Sequence, residues 1–582
     1  MTVVVRGGTV VDGTGTAPVK ADVVIEGERV VAIGSDVAAA NGAAAVIDAG
    51  GMLVTPGFVD LHTHYDAQLS WDPYASPSPL HGVTTVLGGN CGFSLAPLGP
   101  EHADYISRMM ARVEGMPLAA LRAGLSWDWT SFGEWLGRFD GHIAVNAGFL
   151  VGHSTLRRMV MGERAVGGTA TPEDTDAMVA ALHAALDEGA LGFSTSQVHT
   201  HNDGDSQPVP SRAASREEME RLAAAVRDHE GTTLELIVAG CLNGFSEEDI
   251  DFMSTMSLLA DRPVNWNVLG VSAMNPDGVW SQLAAGSAAA ERGATVVALT
   301  LPHSMQVRLS FEHGAILDGL PGWREVFALP FDERIAAFSD PGTRQRLDAG
   351  AQSEEAGILR HLAVWDRLIF DETFAAENKA LEGRTVGEVA RELGISPFDA
   401  MLDVVVADDL RTGLRPPIPT SEADWAFRAE VWKDPRAIVG GSDAGAHLDT
   451  MCGAVYSTSL LGDGVRARGL LSWEQAVRLL TEVPARLYGL RDRGRLVPGA
   501  FADVVVLDPA TIGHCPVRTR EDLPGGASRL YAEATGIEHV LVNGTEIVRG
   551  GSFVGATPGH VLRSGVDTFT VHAGAQWAGA MG

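Results

Sequence analysis

Between Gly57 and Gly440 the chain alternates short apolar runs with longer amphipathic stretches, and that alternation limits the folds open to it. The runs Gly57–Leu61, Thr84–Leu87, Ile143–Leu150, Gly189–Ser194, Thr233–Ile237, Val264–Val268, Thr295–Leu299 and Ala437–Gly440 read as buried strands. Helical stretches lie between them. Thr171 caps Pro172–Glu188, with proline in the first turn, and Ser215 caps the stretch to Glu230, where Glu218 is placed to complete a capping box. Eight strands separated by helices argue an α/β fold, a (β/α)8 TIM-type barrel, over residues 56–487. Ser472–Leu487 is its last helix. The gap from His303 to Arg436 exceeds any ordinary barrel loop, so a long insertion is expected at about 304–436, where it would shape or cover a site.

Residues 1–55 are short alternating strands punctuated by glycine, too short to stand alone. Matching material returns in 488–560, including Ala502-Asp-Val-Val-Val-Leu and the hairpin signal Asn543-Gly544. The two ends together are expected to build a small β-sandwich. Residues 561–582 form a tail without pattern, either mobile or covering a neighbouring subunit in a homo-oligomer.

With 582 residues, 45% apolar and 20% charged, the chain has the composition of a folded protein of more than one domain. A net charge of -31 disfavours nucleic acid and anionic membrane as partners and by itself only maintains solubility. No apolar run is long enough to span a bilayer, and Met1-Thr-Val-Val-Val-Arg6 lacks a basic-then-apolar leader, so a cytoplasmic location is expected. Cys91, Cys241, Cys452 and Cys515 show no CxxC spacing and suggest neither a disulfide framework nor a zinc ribbon.

The chemistry-bearing stretch is Gly57-Phe-Val-Asp-Leu-His62-Thr-His64. Two imidazoles two residues apart at a strand end point the same way and can converge on one ion. An isolated His-x-His is as readily a turn or a packed pair. Its distant partner is Ala437-Ile-Val-Gly-Gly-Ser-Asp443, a strand closing in a carboxylate that can ligate a metal and act as a base, or else simply form a turn.

These motifs, with Val3-Val-Val-Arg-Gly-Gly-Thr-Val-Val-Asp12, Gly82-Val-Thr-Thr-Val-Leu-Gly-Gly-Asn-Cys91-Gly-Phe and Pro498-Gly-Ala-Phe-Ala-Asp503, resemble the amidohydrolase superfamily. Within it the chain is most similar to the N-acyl-D-amino-acid deacylases, or D-aminoacylases. The resemblance implies a metal-dependent hydrolase of C-N amide bonds acting on a small-molecule amide. It implies His62, His64 and Asp443 as ligands of one or two zinc ions, Asp443 as the proton shuttle, and Cys91 as a further ligand. The family carries a metal-binding histidine after each of strands five and six, where this chain reads Thr233-Leu-Glu235-Leu-Ile and Val264-Asn265-Trp-Asn267-Val. Glu235 is the best substitute ligand, because a carboxylate inside an apolar strand needs a cation, although a structural carboxylate fits equally. His153, His201, Arg212 and His303 follow other strands and are candidate substrate contacts, Arg212 by a two-pronged grip on a carboxylate. Two alternatives remain: hydrolysis of another linear or cyclic amide, and a non-catalytic homologue that kept the barrel for assembly.

Overall fold

The computed structural model describes residues 2–575 apart from 36, 38–44, 313, 315 and 418–420. Eight strands run parallel in chain order: β1 (Phe58–Asp60), β2 (Val83–Gly88), β3 (Asn146–Phe149, continued by Val151–Gly152), β4 (Gly192–Ser196), β5 (Thr233–Ile237), β6 (Val264–Leu269), β7 (Val296–Thr300) and β8 (Ala437–Val439). Registers such as Asp60↔Val86, Thr85↔Asn146, Phe193↔Leu234 and Ala298↔Ala437 join neighbours. The Thr63↔Ala444 bridge closes the ring between β8 and β1. The expected barrel is therefore the fold.

Strand alternation divides the core. Phe193, Leu234, Leu236, Val264 and Trp266 pack outward into the large cluster shared with the helices. Val59, Leu61, Leu87, Leu150, Val297, Leu299 and Ile438 form a separate interior cluster. Leu562 and Val571 of the C-terminal segment belong to that interior cluster, which fixes the role of the patternless tail. Its backbone bonds Ile143 O, Ala147 O and Gly489 O, Thr568 Oγ1 donates to Gly231 O at 2.7 Å, and Gly574 N donates to Thr295 Oγ1 at 2.9 Å. All of these partners but Gly489, which follows the last barrel helix, precede or open barrel strands, so the tail is a strap across the barrel floor of its own chain; residues 576–582 lie outside the described residues.

Four helices matter for the site: α1 (Ala103–Val113), α2 (His153–Met161), α3 (Pro172–Asp187) and α4 (Arg216–Val226). Thr171 and Asp174 form a reciprocal capping box at α3. Ser215 caps α4 by accepting from Glu218 N at 3.1 Å, but the Glu218 side chain does not return the contact. It turns inward to a buried ion pair described below.

Both chain ends combine in one nine-stranded sheet. Its first strand, Thr2–Val10, pairs through Val3–Arg6 with Ala45–Asp48 and through Thr9–Val10 with Leu53–Val54. Val3, Val5, Val23 and Ile25 from the N-terminal strands share a small core with Val504, Val506 and Leu541 from the C-terminal ones. Val505, Leu507 and Val540 face the other way and join the main core. Residues 309–414 hold a core of their own around Trp323, Phe338, Trp365 and Phe398. Among the described residues no helix is long and apolar enough to cross a membrane.

Candidate metal centre at the barrel mouth

Strand β1 can lie against β2 because position 57 is glycine: a Cβ there would collide with the Thr84 side chain. The backbone leaving β1 is stitched to the backbone leaving β8. Asp443 N donates to His62 O at 3.0 Å, His64 N to Ala444 O at 2.7 Å, and Ser442 N to the Asp60 carboxylate at 3.1 Å. Two imidazoles and a carboxylate that are remote in sequence are thus fixed on one side of the barrel mouth.

His62 Nε2 lies 3.4 Å from Cys91 Sγ and 3.6 Å from Asp443 Oδ1. His64 Nε2 lies 3.2 Å from Asp443 Oδ1, 3.5 Å from Glu114 Oε2 and 3.9 Å from Cys91 Sγ. Zinc bonds of about 2.0–2.3 Å place the donors of a tetrahedron roughly 3.3–3.8 Å apart, and this spacing fits. Two groups of metal-ligating atoms result, His62–His64–Cys91 and His64–Glu114–Asp443, each with its atoms within 4.8 Å of one another. The donor set is soft nitrogen and sulfur on one side and hard oxygen on the other, and its carboxylates call for a cation.

The electrostatics agree. Burial, then the neighbouring His64, pushes His62 down to about 3 despite Asp443, which leaves a lone pair free. Burial works against charge on His64, but Glu114 and Asp443 outweigh it and push that imidazole up to about 10. Burial would raise Asp443; the three imidazoles of His64, His447 and His62 instead hold it well below the usual carboxylate range. Burial raises Glu114, against His64 and His447, and raises the Cys91 thiol with help from Glu235. A divalent cation at this point would relieve the carboxylates and favour thiolate.

Beside Asp443 opens a cavity of about 220 Å³ whose lining includes His303, Met305, Trp425, Met451 and His514. Asp443 is the donor that reaches it: its side chain is 25% exposed, against 6% for His62, 1% for His64 and 3% for Glu114.

The other expected site residues divide. His303 lines the cavity, with Nδ1 bonded to Ser304 O at 2.8 Å and Nε2 buried without a partner among the described residues. His201 packs with its ring tilted against Phe93 and shares a hydrogen bond between Nδ1 and Ser196 Oγ at 2.8 Å, close enough to His64, His447 and Asp443 to feel their charge. Arg212 grips His201 O and Asn202 Oδ1 through Nη1, at 3.0 and 2.8 Å, and so holds that loop. His153 is not a substrate contact. It is fully buried, with Nδ1 on Thr195 Oγ1 and Nε2 on Glu218 Oε1, and Arg157 pairs with the same carboxylate. Glu235 sits beside the centre yet belongs to neither donor group. Its Oε2 accepts from Cys91 N at 2.7 Å and its Oε1 from Asn267 Nδ2, so it positions Cys91.

Sequence reasoning missed Glu114 and His447. Glu114 closes α1 at the negative end of its dipole, an unfavourable place for a carboxylate, and that mismatch was its readable sign. His447 follows Asp443 by four residues, and its Nε2 is 3.5 Å from Asp443 Oδ2.

The chain belongs to the amidohydrolase family, whose Amidohydro_3 model matches residues 45–548. A D-aminoacylase of Alcaligenes xylosoxydans xylosoxydans is 29% identical over 564 residues, covering 96% of each chain. An uncharacterised protein of Mycobacterium tuberculosis is 30% identical over 594 residues, 95% of this chain and 92% of its own. Among solved structures, a D-aminoacylase with a binuclear metal centre superposes with a TM-score of 0.62 at 27% identity, over 96% of this chain and 99% of the other.

Proposed function

We propose that this protein hydrolyses the amide C-N bond of an N-acyl-D-amino acid or a related carboxylate-bearing amide. The observation that carries the reading is the placement of Asp443: one oxygen faces both imidazoles while the side chain alone among these donors opens to the cavity. His62, His64, Cys91 and Asp443 would hold zinc, which supplies Lewis acidity toward a carbonyl and toward water. Asp443 accepts the proton of the attacking water and returns it to the departing amine, a role open to it because its carboxylate borders the cavity. His447, beside Oδ2, stabilises that carboxylate's charge. His303, which lines the cavity, and His201 contact the substrate, and Arg212 acts through the His201 loop.

A second reading, hydrolysis of a different linear or cyclic amide, is favoured by one observation. The cavity's Arg308 is committed to Asp371 at 2.6 Å and Glu372 at 2.6 Å and is not free to grip a substrate carboxylate. Zinc-loaded protein assayed for amine release from N-acetyl-D- and N-acetyl-L-amino acids separates the two. Turnover of the D series supports the deacylase; turnover of neither enantiomer alongside activity on a cyclic imide moves the assignment to the second reading.

A further inference from the structure

We propose that Glu114 is itself a ligand of the divalent cation, completing the donors that His64 and Asp443 supply; this rests on the metal centre proposed above. A residue that merely orients a metal-binding histidine meets the ring nitrogen turned away from the ion. Glu114 does not. Its Oε2 is 3.5 Å from His64 Nε2, the same nitrogen that faces Asp443 Oδ1 at 3.2 Å and Cys91 Sγ at 3.9 Å, while His64 Nδ1 is buried with no partner among the described residues. That nitrogen has a single lone pair, so an ion bound to it is the ion that Asp443 and Glu114 flank.

Among the described residues the ion-pair partner of the Glu114 carboxylate is His64. Its side chain is 3% exposed and stands at the carbonyl end of α1, where both desolvation and the helix dipole oppose a negative charge. Its own peptide oxygen accepts from His447 N, which clasps the segment to the loop after β8 and brings the carboxylate to the mouth. Glu235 accepts from Asn267 Nδ2 and from the Cys91 backbone N–H, and neither Glu235 nor Asn267 joins the two groups of converging donors. Glu114 therefore enters from the β2 excursion, on the oxygen-rich side of the centre, and makes the donor set harder than two histidines and a thiolate would be alone.

The test is zinc affinity of the full chain, measured by competition with a chromogenic chelator, for wild type, Glu114→Gln and His64→Ala. Loss of a supporting partner lowers affinity about 10–100-fold, so a ligand role requires Glu114→Gln to weaken zinc by more than about 100-fold. A smaller loss overturns the proposal. His64→Ala separates the two levels: if it too binds zinc as wild type does, the metal centre itself fails, whereas loss there with retention in Glu114→Gln defeats only the role of Glu114. Should Glu114→Gln not fold, wild-type crystals grown with zinc decide by anomalous scattering. A peak within about 2.0–2.2 Å of Glu114 Oε2 sustains the proposal, and a peak bonded to His64 but not to Glu114 ends it.

Discussion

Replacing Asp443 by asparagine keeps the side chain's volume and removes both its charge and its ability to take a proton. The magnitude follows from where its two oxygens stand. Oδ1 is 3.2 Å from His64 Nε2 and 3.6 Å from His62 Nε2, so an amide there remains a weak oxygen donor to the ion but loses its charge-charge attraction. That part of the loss is in metal affinity and is restored by raising zinc. The proton-transfer part is not. A positioned general base contributes about 10²–10⁴ in rate, roughly 2.7–5.4 kcal/mol at 1.36 kcal/mol per decade. We expect kcat and kcat/KM for an N-acetyl-D-amino acid to fall together by that factor at saturating zinc, because the interaction is made only on the way to the transition state. The assay is initial amine release across a zinc series, with bound zinc measured in the same samples. Recovery of kcat to within tenfold of wild type once zinc is saturating would show that Asp443 is only a ligand, and the mechanism would be refuted.

Glu218→Gln tests the buried cluster beneath the site. It leaves Arg157, fully buried, without its carboxylate and should cost about 3–5 kcal/mol, read as a lower Tm near neutral pH. Burial raises Glu218, but His153 and Arg157 outweigh it and hold its pKa below 4.5; its stabilisation is present above about pH 4.5 and is lost as pH falls below that. The variant should lack this part of the acid limb, and an unchanged Tm with an unchanged limb would discount the ion pair. His153→Gln should likewise lower Tm and spare KM, whereas His201→Ala should raise KM with little effect on kcat; a raised KM in the His153 variant would return that histidine to the substrate site. Leu562→Ala, in the floor strap, should destabilise by about 2–5 kcal/mol without altering zinc affinity, since the strap crosses the end of the barrel opposite the metal centre. Equal thermal unfolding of variant and wild type would mean that the strap is not docked.

The barrel was legible because its strands are buried on both faces and therefore appear as uninterrupted apolar runs; Thr233–Ile237 begins and ends where the sequence placed it. His62, His64 and Asp443 were legible for a related reason. They follow strand ends within two to four residues, so their position along the chain places them on the same rim. Glu114 obeys no such rule, since it arrives on the end of a helix in the excursion after β2 and its direction depends on how α1 lies. His153 misled in the opposite sense: a histidine one residue beyond β3 looks alike in sequence whether its ring turns to the mouth or to α4, and only the inward turn of Glu218 decides. The same turn undid the capping box at α4, where a buried guanidinium outcompeted a backbone N–H for the carboxylate. The tail carried no periodicity because a strap makes isolated bonds to successive strand ends and forms no ladder of its own.

Three residues at the centre, Cys91, Asp443 and His447, hold left-handed backbone at φ of 57°, 58° and 51° although none is glycine. Each such residue costs on the order of 1–3 kcal/mol and persists only where its surroundings hold it. Here the restraint in every case is the residue's own N–H. Cys91 donates to the Glu235 carboxylate, Asp443 to the His62 carbonyl and His447 to the Glu114 carbonyl. The strained positions are thus tied to other residues of the same centre, so the donors constrain one another independently of any ion. This gives the carboxyl at position 235 a positioning role: it accepts from the Cys91 N–H and helps hold the left-handed turn that aims the thiol at His62, although burial outweighs its hydrogen bonds and pushes Glu235 up to about 8. The mutual constraint also accounts for the tight stitching of β1 to β8. A centre held by hydrogen bonds between its own backbones would not need to reorganise when a proton neutralises Asp443, as the proposed base role requires.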